Sequence, residues 1–169
     1  MTEPKQRQAA AEPLCRAVLQ LARTAVARLL LRDHDDGFLA LGDRERAVMG
    51  ARAAQFPAHV ETLASSWRSA ERADPDGPLP VLAADAGDAD GLLLLALTAA
   101  PALDRVIART FRSLEPGGLT VGLLLDLLGE QESDRLALAH ALAADAPLRR
   151  HGLLSTPAPI AVAGDPVAV

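Results

Sequence analysis

Hydrophobic positions recur at steps of three and four along most of this chain, a spacing that predicts helices. Leu14, Val18, Leu21, Ala25 and Leu29 mark one buried face between about residues 9 and 32, with Arg16, Arg23 and Arg28 off the stripe. Pro13 is expected near the start of this helix, where its missing N–H costs least. The run Asp33-His34-Asp35-Asp36-Gly37 ends it and reads as a solvated loop, because neighbours on a short loop rarely converge on one metal ion. A second helical run covers residues 43 to 72, capped by Asp43 and split by Pro57 near Gln55 or Phe56. Its apolar positions are Val48, Ala51, Ala54, Val60, Leu63 and Trp67, and His59 is expected on its surface or half buried. Trp67 is expected to anchor this region to its neighbour, with an exposed, partner-binding tryptophan as the alternative.

The segment Asp74-Pro-Asp-Gly-Pro-Leu-Pro80 is the clearest linker. It divides the chain into a tail (1–8), a helical hairpin or bundle (9–73), the linker (74–80) and a second domain (81–169). In that second domain a short helix from Val81 to Ala86 stops at Gly87, and Asp88 caps an apolar helix over 89–99. Pro101 is expected to open the next helix, with Leu103, Ile107, Phe111 and Leu114 facing the core and Val106 beside them. Arg105, Arg109 and Arg112 fall at i, i+4 and i+7 on it, forming a basic stripe that is either a solvated face or a contact for an acidic or phosphate partner. Thr120 caps a helix to Leu128, and Ser133 caps another to about Ala144; the tight turn at 129–132 makes the pair resemble a helix-turn-helix. Short β-like runs at 152–155, 159–162 and 166–169 then suit a hairpin or wing. The fold class is mainly α: a helical hairpin or bundle, then a winged-helix-like domain with a small C-terminal β-hairpin.

Composition narrows the function. Half the residues are hydrophobic but only 2% are aromatic, which favours close-packed helices over sheet. A net charge of −5 argues against nucleic-acid binding through overall charge. The helix from Ser133 offers only Arg135 and His140 as basic reach, too little for reading base edges. Arg149, Arg150 and His151 form the one compact basic cluster. A single cysteine, Cys15, excludes an internal disulfide, and no Cys/His cluster has zinc spacing. The polar N-terminus lacks the apolar core of a signal peptide, so a soluble, cytoplasmic protein without membrane contact is expected.

Several segments, in order, carry a family resemblance: Asp88-Ala-Asp-Gly-Leu-Leu-Leu-Leu-Ala-Leu97, Ala100-Pro-Ala-Leu-Asp104, Leu119-Thr-Val-Gly-Leu-Leu-Leu-Asp-Leu-Leu128, Arg135-Leu-Ala-Leu138 and Ala146-Pro-Leu-Arg-Arg-His-Gly-Leu-Leu154. Roughly residues 80 to 156 resemble the variant winged-helix region that precedes the nucleotide-binding module of bacterial AAA+ ATPases, including those found with contractile injection systems. The resemblance implies ATP and magnesium for the parent protein. This chain has no lysine after Lys5 and so no intact phosphate-binding loop, which needs a glycine-rich turn and a lysine. No Gly-x-Ser-x-Gly elbow is present either, and no catalytic residue, cofactor or metal is expected here. The chain is expected to be an excised N-terminal piece that docks a protein partner or its own ATPase module, with homo-oligomerisation open through the parent ring. A winged-helix nucleic-acid binder and a structural oligomerisation module are the alternatives. Candidate partner-binding residues are Arg105, Arg109, Arg112, Arg149, Arg150 and Trp67.

Overall fold

The computed structural model describes residues 4–143 and 146–150. Helix α1 (Pro4–Asp35) runs through the middle of the packing. Its apolar stripe is buried as the spacing predicts: Leu14, Val18, Leu21, Ala25 and Leu29 all lie in the core. Thr24, on the buried side, donates its hydroxyl to Leu21 O at 2.9 Å and so needs no outside partner. The helix starts at Pro4 and continues through Pro13, which lies inside it instead of at its start. Pro13 forfeits one ladder hydrogen bond, and burial of the stripe beyond it holds the helix together.

Helices α2 (Asp43–Ala53) and α3 (Phe56–Ala73) separate at Ala54-Gln55, with Pro57 in the first turn of α3, where a proline is tolerated. Gly42 N–H donates to Glu45 Oε2 at 3.0 Å and secures the start of α2. None of the α2 side chains is buried; Val48, Ala51 and Ala54, expected as packing positions, are exposed. A helix of sequence Asp-Arg-Glu-Arg-Ala-Val-Met-Gly-Ala-Arg-Ala has no continuous apolar face, and it lies on α1 from outside. In α3 the apolar residues Leu63, Trp67 and Ala70 are spaced four and three apart and pack on α1.

Helix α4 (Pro78–Ala86) begins inside the stretch expected as linker, with Pro78 and Pro80 in its first turn. Gly87 stops it at φ +78°, in the left-handed region where only glycine is unstrained. Asp88 Oδ1 then accepts Gly91 N–H at 2.9 Å and starts α5 (Ala89–Leu103). Pro101 does not open the following helix; it sits within α5. The break comes at Asp104, whose Oδ1 accepts Val106 N–H at 2.7 Å, and the chain bends by 112° into α6 (Arg105–Leu114). A capping carboxylate outweighs one lost ladder bond, so the boundary follows Asp104. Leu103 consequently leaves the core and is 45% exposed, and Val106 is 67% exposed. Ile107 and Phe111 are buried as expected.

Thr120 Oγ1 accepts Leu123 N–H at 3.1 Å to start α7 (Val121–Leu128). Helix α8 (Glu132–Ala141) starts one residue before Ser133; there Asp134 Oδ2 accepts Gln131 N–H at 3.1 Å. The one-turn α9 (Pro147–Arg150) packs on α4. One continuous core joins Leu21 and Leu63 to Leu94, Phe111, Leu127 and Leu148, so residues from both sides of 74–80 share it. Among the described residues the architecture is all helix; the expected wing runs at 152–155, 159–162 and 166–169 lie outside them.

Candidate docking face on helix α6

Helix α6 is held from below and at both ends. Ile107 and Phe111 enter the core, and Leu114 packs against it. At its N-terminus Asp104 both caps the helix and receives Arg23 Nη2 at 2.8 Å from α1. These bonds hold the Asp104 carboxyl below the usual carboxylate range, the Val106 N–H contributing most and Arg23 next. The rotation of α6 is therefore fixed, and Arg105, Arg109 and Arg112 are left facing outward, all exposed.

The three arginines are spread over about 60° of arc and about 10 Å of helix. None forms an ion pair among the described residues; Arg112 Nε returns only to Ala108 O at 3.2 Å. Of the described helices with eight or more residues, α6 is the only one without an acidic side chain. Local energetics oppose this arrangement. Like charges at i, i+4 and i, i+3 cost roughly 0.2–0.5 kcal/mol per pair, and a cation in the first turn meets the positive end of the helix dipole. Arg112, in the last turn, meets the negative end of the dipole instead.

Four arginines of the central helix, Arg16, Arg23, Arg28 and Arg32, are engaged within the chain. Arg28 Nη2 lies 2.5 Å from Glu130, and its guanidinium stacks 3.9 Å above the Phe56 ring. Arg32 donates to Gly129 O at 3.1 Å and lies 3.8 Å from Asp126, which also receives Arg135. This network tethers the α7–α8 turn to α1. It also lines a groove of about 910 Å³ between the end of α1, the α2–α3 corner and the end of α7.

The other predicted site residues lie elsewhere. Arg149 and Arg150 are on α9 against α4, whereas α6 packs on α5 and α1, so the structure does not gather them with the stripe. Trp67 is 6% exposed and donates from Nε1 to Glu71 at 3.1 Å; its ring fills the core, in the anchoring place, and offers no surface to a partner. Three apolar side chains were missed as surface features. Leu103 and Val106 flank the arginines, and Phe38, after the acidic turn that ends α1, is 86% exposed. An apolar residue after a helix-ending glycine ordinarily folds back onto the helix, so nothing around Gly37-Phe38 signals an exposed ring.

The family model of the variant winged helix domain matches residues 14–167. The chain belongs to this family. The match begins at Leu14, so in this winged helix domain it takes in α1 to α3 as well as the α7–α8 pair. No curated protein and no solved structure matches the chain. In the α7–α8 pair the second helix is a poor basic surface: Arg135 is bound to Asp126, and Glu132 and Asp134 occupy its first turn. Among the described residues no single helix is long and apolar enough to cross a membrane.

Proposed function

We propose that this winged helix domain is a non-catalytic regulatory and protein-docking module of an AAA+ ATPase, whose ATP and magnesium are handled by a separate module of the parent protein. The carrying observation is the α6 face, three outward arginines without carboxylate partners among the described residues, on a helix seated in the core. The ordered matches between residues 80 and 156 to the region preceding bacterial AAA+ modules support the parentage, with contractile injection systems as a setting. The missing phosphate-loop lysine supports leaving nucleotide chemistry to that other module. The test has two steps. The reading frame beyond Val169 should encode Gly-x-x-x-x-Gly-Lys, and its absence removes the ATPase parentage. The purified ATPase module should then be retained by the immobilised domain and released when Arg105, Arg109 and Arg112 are all changed to Glu; unchanged retention rules out α6 as the docking face.

Family membership also favours a second reading, a nucleic-acid-binding winged helix. It requires a gel shift at low salt that weakens with added salt and with Arg149→Ala plus Arg150→Ala. Absence of any shift at low salt disposes of it.

A further inference from the structure

The α6 face has a counterpart on the same chain. At the end of α1, Gly37 takes φ +81°, and Phe38 and Leu39 both donate their N–H groups to Asp33 O, at 2.8 and 3.0 Å. His34 Nδ1 accepts Leu41 N–H at 3.1 Å and closes the turn. Phe38 is thus held out by a hydrogen-bonded turn. Beside it Asp36 is exposed and forms no ion pair among the described residues, whereas Asp35 is taken by Arg46 at 3.3 Å. One patch joins arginines to exposed aliphatics; the other joins a carboxylate to an exposed aromatic ring. Each supplies what the other lacks.

We infer that the arginine face of α6 receives the Asp36–Phe38 turn of a second copy of this chain. The inference rests on the docking reading of α6: in the chain by itself, the face that would dock the ATPase module takes a second copy instead. Asp36 meets the Arg105–Arg109 pair, and the Phe38 ring covers Leu103 and Val106 with a guanidinium over it, the stacking that Arg28 and Phe56 already make within one copy. A phosphate backbone would have no use for the two exposed aliphatics. Because the two patches differ, the contact is heterologous and joins copies head to tail.

Sedimentation velocity of the whole chain, from micromolar to near-millimolar concentration, tests this with two charge reversals. Wild type should associate, less so at high salt. Arg109→Glu and Asp36→Arg should each weaken association about tenfold or more when alone. An equimolar mixture of the two should recover association, because the intact turn of one variant meets the intact face of the other. Folding is not at risk in Arg109→Glu, which replaces two repulsive helix pairs by attractive ones. A wild type that stays monomeric, reversals that associate like wild type, or a mixture that stays monomeric overturns the inference. A monomeric wild type that still retains the ATPase module through α6 leaves the docking reading standing; loss of both removes it as well.

Discussion

Replacing glycine by alanine should have opposite effects at two helical positions, and the sign is set by what the new methyl group meets. At Gly91, in the first turn of α5, a Cβ would lie 2.1 Å from Ala86 O and 2.9 Å from Ala86 C. Both are backbone atoms of the preceding helix, so the α4–α5 crossing itself must open. Overpacking of this kind costs typically about 1–3 kcal/mol, more than the at most ~1 kcal/mol that alanine gains in helix propensity. At Gly50, inside α2, the added methyl meets nothing within 4 Å, so only the propensity gain remains. For a chain of this length each kcal/mol moves the unfolding midpoint by about 2–4 °C. Gly91→Ala should therefore lower the midpoint by several degrees and Gly50→Ala should raise it by about 2–4 °C. Urea and thermal unfolding followed by circular dichroism measure both. Equal shifts of the same sign, or a Gly91→Ala protein as stable as wild type, would refute the close approach of α4 to α5.

Three further outcomes follow from the core and the carboxylates. Phe111→Ala empties the centre of the α6 contact, where the ring is fully buried, and should cost about 3–5 kcal/mol in urea unfolding. Asp104 has a lowered folded pKa, so its contribution is complete above the ordinary carboxylate value and is lost as pH falls through the lowered one. Asp104→Ala should therefore differ most from wild type near neutrality, with the gap narrowing in acid. Asp90 is shifted the other way, by burial first and then by Asp88 and Asp134, so ionising it costs stability as pH rises through the carboxylate range. Asp90→Asn should stabilise the domain at pH 7 and lose that advantage in acid, both read from urea midpoints.

Much of the helical core was legible along the chain, because a buried stripe as long as Leu14 to Leu29 repeats its own signal. The caps at Asp88 and Thr120 and the stop at Gly87 were legible too, since each acts within a few residues. Local rules misled where two of them competed. Pro101 lost the helix boundary to Asp104, and that displacement turned Leu103 outward. The exposure of the α6 arginines could be anticipated from the positions of Ile107 and Phe111. Their lack of ion-pair partners among the described residues could not. Arg23, Arg28 and Arg32 look equally basic in sequence, yet each reaches a carboxylate far along the chain: Asp104, Glu130 and Asp126. Only the packing shows which charges are already spent.

The central claim is that the arginines of α6 serve contact and not folding. Measuring the self-association constant and the unfolding midpoint of Arg109→Glu on the same preparation tests it most directly. Association should be lost while the midpoint stays equal to wild type or rises. A midpoint that falls together with association, or an association constant that does not change, would contradict it.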